Sequence, residues 1–242
     1  MAATPYLSVV VPVCDEQESL GALHEELAAA LSRVAGGAEI LYVDDGSRDA
    51  SLARLREIAG RDPRVRVVVL DGNHGQSAAL DAGFRRARGE IVATLDADGQ
   101  NDPADLPCLL ARLDDADVVN GVRTGRRDSR VRKLSSRIAN GFRNRMTHES
   151  VRDVGCSLRV MRREFLERVR LWRGMHRFLP TLLRLEGARI VEVSVSHRPR
   201  RHGTSKYGIR NRLFAGFMDV FAVRWMQRRA LRYRAQEIEP GS

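Results

Sequence analysis

The sequence predicts an α/β fold in which a mostly parallel sheet is flanked by helices on both faces. Three observations support this prediction: short continuous apolar runs, amphipathic segments between those runs, and acidic or polar residues directly after several of them. Continuous apolar runs are typical of strands that are buried on both faces. Their alternation with helices produces the β-α units of a parallel sheet. Because the 242 residues contain no internal repeat and no interdomain linker, we expect a single domain.

The first half of the chain carries most of this prediction. Four apolar runs predict strands, over residues 7–13, 38–43, 65–70 and 90–95. The intervening segments place leucine, isoleucine or alanine at helical spacing, which predicts helices that begin near Leu20 and Leu52 and a third over residues 76–88.

The second half alternates less regularly. It predicts, in order, a helix over 106–113, a strand over 117–120, a basic helix over 131–146, a strand over 189–196 and a final helix over 209–234. A basic stretch from His197 to Lys206 separates the last strand from the last helix.

Charge is divided unevenly between the two halves. The net charge is +10, but residues 1–120 carry 11 Lys and Arg against 21 Asp and Glu, whereas residues 121–242 carry 30 against 10. An acidic half is suited to hold a divalent cation, and a basic half is suited to face phosphates or an anionic membrane. A nucleic-acid-binding protein is the alternative outside enzymes. The acidic half, the absence of a recognisable binding motif and an aromatic content of 5% disfavour it.

The compartment is predicted from cysteines and apolar segments. The three cysteines (Cys14, Cys108 and Cys156) are odd in number and far apart, which favours reduced thiols in a cytoplasm. No stretch approaches 18 uninterrupted apolar residues, and the first residues lack the basic region of a signal peptide. We therefore expect a cytoplasmic protein without a transmembrane helix of its own.

Acidic clusters follow three of the predicted strands. They are residues 15–16, 44–45 and 96–98. Ligands of an open parallel sheet bind beyond the carboxyl ends of its strands, so these clusters are expected to meet at one edge. Asp96 and Asp98, with Gln100 as a further oxygen ligand, predict a site for Mg²⁺ or Mn²⁺; a simple turn at Asp98 and Gly99 is the alternative.

Asp44 and Asp45 are interpreted separately from Asp96-x-Asp98, which is called the metal motif below. Together with Ser47, they could hydrogen-bond the base or ribose of a nucleotide, or they could form the turn and cap the next helix.

The ordered motifs of the chain resemble family 2 glycosyltransferases of the GT-A fold. The motifs are PVCDEQESL, YVDDGSRD, NHGQSAALDAGFRRARGEIVATLDADGQNDP, DVGCSLR and RRHGTSKY. They are similar, more narrowly, to polyprenyl-phosphate glycosyltransferases, the group that contains the dolichyl-phosphate mannose synthases. The similarity extends from about residue 7 to about residue 226, so residues 1–208 are expected to form the catalytic domain.

The resemblance implies a role for each matching residue. Nucleotide-sugar binding is implied for Pro12, Val13, Glu16, Asp44, Asp45 and Asp96, and metal binding for Asp96, Asp98 and Gln100. At positions 14 and 15, where the family usually has an aromatic residue and Asn, this chain has Cys14 and Asp15. The nucleobase is therefore not inferred.

Basic and hydroxyl side chains of the second half match positions that contact phosphates. Acceptor-phosphate binding is implied for Arg132, Ser136, Arg200, Ser205 and Lys206. Arg123 joins Asp96 and Asp98 as the residues expected to carry the reaction. Whether Arg200 or Arg201 takes the family's position stays open. Guanidinium and ammonium groups are the donors that a phosphate requires.

The reaction implied is a single inverting displacement from a nucleotide-diphosphate sugar to a polyprenyl phosphate. A phosphate monoester is already ionised near neutral pH, so its oxygen needs no strong base to attack. Transfer to a saccharide hydroxyl is the alternative within enzymes.

The last segment, residues 209–242, is predicted to be an amphipathic basic helix and tail. Its apolar residues and its arginines suit a helix that lies on anionic lipid, and packing on the core is the alternative. We expect a protein that is peripheral at the inner face of the cytoplasmic membrane, with a small membrane protein as a further possible partner.

Overall fold

Seven strands form one mixed sheet in a computed structural model that describes residues 4–124, 140–149, 151–199 and 209–231, the last range as backbone alone up to residue 216. The strands are β1 (Leu7–Val13), β2 (Ala38–Asp44), β3 (Val65–Val69), β4 (Ile91–Thr94), β5 (Val118–Arg123), β6 (Arg159–Arg162) and β7 (Ile190–Val195). Their order across the sheet is β3-β2-β1-β4-β6-β5-β7, and only β6 runs antiparallel to its neighbours. The predicted α/β, mostly parallel architecture is confirmed.

Helices cover both faces of the sheet. They are α1 (Leu20–Leu31), α2 (Ser51–Arg61), α3 (Gln76–Phe84), α4 (Leu106–Leu110), α5 (residues 140–147), α6 (Arg163–Arg168), α7 (Leu179–Leu185) and α8 (Ile209–Arg229). Short 3₁₀ turns over Pro103–Asp105 and Met175–Phe178 precede α4 and α7. Among the described helices, none is both long and apolar enough to span a bilayer.

Alternation along β1 divides the core between the two faces. Val9 and Val11 belong to one buried cluster together with Leu27 of α1. Val10 points to the other face and joins a second cluster with Leu80 of α3. Successive side chains of a strand point to opposite faces, so a continuous apolar run is required when both faces are covered.

A third apolar cluster attaches α8 to the rest of the fold. Met175, Phe178 and Leu182 pack against Val220 and Val223 of the helix. Part of α8 is therefore packed on the core, as one of the two sequence interpretations predicted. The predicted division at residue 208 lies outside the described residues.

The structure differs from the sequence prediction in several elements. Strand β6 was not predicted, and neither were α6 and α7. Helix α3 ends at Phe84 rather than at residue 88, and α8 ends at Arg229, with residues 230 and 231 outside the helix. The segment RVMR of β6 is only four residues long and has charged ends, so its apolar pattern is too short to indicate a strand.

Candidate active site

The strand order reverses at β1, where the carboxyl ends of three strands meet. β2 and β4 lie on either side of β1, and such a switch point forms the crevice in which ligands of open α/β sheets bind. Val13 pairs with Asp44 at the ends of β1 and β2, and residues 96–98 follow β4 at the same edge. The side chain of Val13 is buried in the core, whereas Pro12 is partly exposed.

The loops after β1 and β2 are hydrogen bonded to each other. The backbone N–H of Asp15 donates to Ser47 Oγ at 3.0 Å, and its Oδ1 accepts from the N–H of Arg48. One residue further, the N–H of Glu16 donates to Ser51 Oγ at 2.8 Å. The motifs PVCDEQ and DDGSRD therefore specify one joined pair of loops, which forms one wall of the crevice.

Asp45 is bonded to the loop that precedes α3. Its two carboxylate oxygens accept from the backbone N–H groups of His74 at 2.7 Å and Gly75 at 2.8 Å. Gly46 makes this approach possible, because a Cβ at that position would lie 2.6 Å from the backbone nitrogen of Asn73. The described contacts of Asp45 are thus internal, and they fix the position of the neighbouring loop.

Asp44 is buried with one oxygen unsatisfied. The residue is 1% exposed, and its Oδ2 accepts only a long 3.4 Å hydrogen bond from the N–H of Ser47. Within the described part of the chain, its Oδ1 has no hydrogen-bond partner. Buried polar atoms are nearly always paired, so an orphaned carboxylate oxygen at the switch point indicates a donor that a ligand would supply.

Asp96 is the partly buried first carboxylate of the Asp-x-Asp motif. Its Oδ1 accepts from Gln76 Nε2 at 2.7 Å, and its backbone N–H donates to Ser157 Oγ at 3.2 Å. Burial, and then the neighbouring charge of Asp98, raise the pKa of Asp96 to about 6. A carboxylate in this state is stabilised by a positive charge placed beside it.

The rest of the motif forms a tight turn. Oδ1 of Asp98 accepts from the N–H of Gln100 at 3.0 Å, and Gly99 between them has φ +71°. Within the described part of the chain, no group of three or more His, Cys, Asp or Glu side chains could hold a metal ion. Two carboxylates nevertheless fit a hard cation that keeps waters and takes oxygens from a diphosphate.

Arg123, at the end of β5, is paired with Asp153. Its Nε and Nη2 donate to the two carboxylate oxygens at 2.7 and 2.8 Å, and its backbone N–H donates at 3.2 Å. Burial alone would lower the pKa of Arg123, but Asp153 raises it overall. A Cβ at Gly155 would lie 2.6 Å from Nη2 of Arg123, so a larger residue there would displace the guanidinium. Arg123 is thus held in one orientation at the edge of the crevice.

Four further residues of this region were not selected from the sequence. Gln76 holds Asp96, Asp153 holds Arg123, and Ser157 bridges Asp96 to Asn101. The signal was available, because these residues lie in the motifs NHGQS and DVGCSLR. Strand β6 explains why the segment 153–157 is at this edge: an antiparallel strand begins where its parallel neighbours end.

The fourth of these residues, Arg159, is buried and lies on β6. Its guanidinium donates to Asn120 Oδ1 at 2.7 Å and to the carbonyls of Val154 and His176 at 3.0 and 3.2 Å. Burial lowers its pKa. The residue joins β5, the 153–157 segment and the turn before α7.

Five predicted phosphate-binding residues lie outside the described residues. They are Arg132, Ser136, Arg200, Ser205 and Lys206. Arg200, Ser205 and Lys206 follow residue 199 in the sequence, and the described residues before them lie close to the Asp-x-Asp motif, because the N–H of Arg198 donates to the carbonyl of Gln100 at 2.9 Å.

Residues 8–170 match the family described as Glycosyl transferase family 2, and the chain belongs to that family. Among curated relatives it is 40% identical to a dodecaprenyl-phosphate galacturonate synthase of Rhizobium johnstonii, over 95% of this chain and 68% of that protein. It is 41% identical to an undecaprenyl-phosphate 4-deoxy-4-formamido-L-arabinose transferase of Edwardsiella ictaluri, over 84% of this chain and 63% of that protein. The chain thus spans about two thirds of these relatives' length.

Solved structures confirm the GT-A fold. The chain superposes on a glucosyl-3-phosphoglycerate synthase of Mycobacterium tuberculosis, solved with Mn²⁺, UDP and glucosyl-3-phosphoglycerate, with a TM-score of 0.67. The match covers 92% of this chain and 80% of that one at 21% identity. A likeness at this identity concerns the fold alone.

Proposed function

We propose that this chain transfers a sugar from a nucleotide-diphosphate sugar to a polyprenyl phosphate. The observation that carries the proposal is a pair of carboxylates at the switch point of the sheet: buried Asp44 has an oxygen without a hydrogen-bond partner among the described residues, and Asp96 has a raised pKa. The names of the relatives, which act on dodecaprenyl and undecaprenyl phosphates, support the acceptor class.

The donor is placed across the crevice by residues of both joined loops. Asp44 Oδ1 accepts a hydrogen bond from a ribose hydroxyl or a base N–H, which completes its hydrogen bonding. Pro12 and Glu16 line the same wall. Asp45 acts indirectly, by fixing the loop at His74.

A divalent cation, Mg²⁺ or Mn²⁺, is the proposed cofactor. Asp96 and Asp98 would hold it, with Gln100 nearby. When bound, it offsets the charge that develops on the leaving nucleoside diphosphate. Gln76 orients Asp96 for this task through its 2.7 Å hydrogen bond.

The acceptor attacks as an ionised phosphate. A bond forms between a phosphate oxygen and the anomeric carbon while the bond from that carbon to the diphosphate oxygen breaks, and the electron pair leaves with the nucleoside diphosphate. No proton has to be removed from the attacking oxygen. Arg123 contributes positive charge at the end of β5, and the basic residues of segments 125–139 and 200–208 contribute the remainder.

An exposed apolar patch is proposed to meet an anionic membrane. It consists of Phe142 on α5 and Phe217, Met218, Phe221 and Trp225 on α8, each between 37% and 62% exposed. The three phenylalanine rings contact one another, with centroids 5.0 to 6.4 Å apart. Arginines lie on the same helix: Arg224, Arg228 and Arg229. An apolar face flanked by arginines fits the surface of an anionic bilayer, where a lipid acceptor resides.

Transfer to a defined lipid tests the proposal. Purified protein is incubated with Mn²⁺, a polyprenyl phosphate, and UDP-, GDP- or dTDP-sugars in turn, and lipid-linked sugar is measured. We expect product with at least one donor, and stabilisation of the fold by that donor. Transfer to an oligosaccharide but not to the lipid would instead support the saccharide-hydroxyl alternative.

A further inference from the structure

The segment that follows β7 is bonded to the segment that follows the metal motif. The N–H of Arg198 donates to the carbonyl of Gln100 at 2.9 Å, and Nε2 of Gln100 lies 3.5 Å from the carbonyl oxygen of Arg198. One position away on each segment, His197 and Asn101 form an antiparallel bridge. These two segments therefore lie side by side, two residues from Asp98.

The side chain of Arg198 strengthens this pairing through ion pairs with two carboxylates. Its Nη1 donates to both carboxylate oxygens of Glu26 on α1, at 2.8 and 2.7 Å. Its Nη2 donates to Asp102 Oδ2 at 2.6 Å. One guanidinium thus joins three parts of the chain: α1, the segment after the metal motif, and the segment after β7.

The geometry of the contact requires arginine. A planar guanidinium can bond two carboxylates at once through nitrogens held at fixed angles, whereas an ammonium group acts as a point charge. The Arg198 side chain is 30% exposed, and ion pairs at this exposure contribute little to global stability. The effect of Arg198 is therefore expected to be local.

The local effect of Arg198 matters because this residue lies just before the segment that is expected to bind the acceptor phosphate. The basic segment RRHGTSK begins two residues later in the sequence. The bonds of Arg198 hold residues 197–199, which directly precede that segment in the sequence, beside the turn at Asp98 and Gln100.

We propose that Arg198 is a positioning residue that holds residues 197–199 against the turn at Asp98 and Gln100, so that the acceptor phosphate and the donor diphosphate meet. This inference rests on the proposed transfer to polyprenyl phosphate. Arg198 itself touches neither substrate.

Arg198→Met tests the inference by comparing acceptor kinetics with donor binding. Misplacement of reacting groups by about 1 Å costs roughly 10²-fold in rate, so kcat/KM for polyprenyl phosphate should fall by about that factor. The Kd of the donor with Mn²⁺ should stay within about twofold of wild type. Arg198→Lys should not restore the rate, because lysine cannot make the paired contacts.

A matched control is available at the opposite edge of the sheet. Arg64 makes a bidentate pair with Asp62 and is 34% exposed, close to the value for Arg198. Arg64→Met loses a comparable ion pair far from the crevice, so its transfer kinetics should remain those of wild type.

Amide hydrogen exchange gives a readout that does not depend on activity. Exchange in residues 96–102 and 196–199 should rise in Arg198→Met and stay unchanged in Arg64→Met. Unchanged exchange, unchanged acceptor kinetics, or an equal loss of donor and acceptor binding would each overturn the inference. A wild-type protein that binds donors but transfers to no polyprenyl phosphate would overturn the proposed function, and this inference with it.

Discussion

Carboxylates are satisfied differently at the two ends of the parallel strands. At the edge where the parallel strands begin, Glu39 is 5% exposed and accepts from Ser8 Oγ at 2.7 Å, the N–H of Arg88 at 2.8 Å and Arg66 Nη1 at 2.8 Å. Burial alone would raise the pKa of Glu39, but these hydrogen bonds outweigh it and lower the pKa.

At the edge where the strands end, the balance is reversed. Asp44 keeps an oxygen that no described residue bonds, and the pKa of Asp96 is raised to about 6. The first edge satisfies its buried charge internally and stabilises the fold. The second leaves buried charge to be completed from outside, which is the arrangement expected of a ligand site. Substitutions at the two edges should therefore separate stability from activity.

The largest effect is expected at the metal motif. Asp98→Ala should lower sugar transfer by about 10³-fold, since a metal contributes several kcal/mol of transition-state stabilisation. The melting temperature should not fall. Asp115→Ala, which removes an exposed carboxylate outside the crevice, is the control and should transfer at the wild-type rate. Full activity of Asp98→Ala would refute the metal assignment.

The adjacent residues Asp44 and Asp45 are expected to differ in the same way, one in donor binding and the other in stability. Asp44→Asn should weaken donor binding by roughly 10- to 100-fold, with no loss of stability, because Asp44 has few internal bonds to lose. Asp45→Asn should lower the free energy of unfolding by about 1–3 kcal/mol, because both of its oxygens accept backbone N–H groups. Titration with the donor measures binding, and chemical denaturation measures the free energy of unfolding. Lower stability in Asp44→Asn together with weaker donor binding in Asp45→Asn would contradict these assignments.

Glu39→Gln should affect stability alone. The folded-state pKa of Glu39 lies below its ordinary value of 4.5, so the carboxylate stabilises the fold at pH 7. That contribution is lost as pH falls through the folded-state pKa. The variant should therefore be less stable than wild type by about 1–3 kcal/mol at pH 7 and equal to it in acid. Denaturation curves across pH measure this, and kcat should not change.

The smallest effect is expected on the apolar patch that is proposed to meet the membrane. Trp225→Ala should weaken binding to anionic vesicles roughly tenfold, because less apolar area is buried in the interface. Val69→Ala, at an exposed apolar position on the edge strand β3, should bind as wild type. Equal binding by both variants in sedimentation with vesicles would remove Trp225 from the docking surface.

The sequence predicted the parallel strands because β1 to β4 follow apolar runs and β7 follows an alternating pattern. It did not predict β6, because the four residues of this central strand include two arginines and form too short a pattern. The convergence of residues 15–16, 44–45 and 96–98 at one edge was predicted from strand direction, and the structure places them there.

The contrast between Asp44 and Asp45 could not be predicted from the sequence. The donors that occupy Asp45 come from His74 and Gly75, about thirty residues away. The same limit applies to Arg198, whose partner Glu26 is 172 positions distant. Such pairings depend on how loops meet after the sheet has formed, and no local pattern encodes them.

Helix α8 has two faces under different constraints. Val220 and Val223 are buried against the turn at Met175, while Phe217 and Phe221 face outward beside Phe142. If the outward face meets lipid as proposed, the inward positions are restrained by the core and the outward ones only by the bilayer. Homologues in membranes of different composition could then diverge at the outward positions alone, adapting to their lipids while the catalytic fold remains the same.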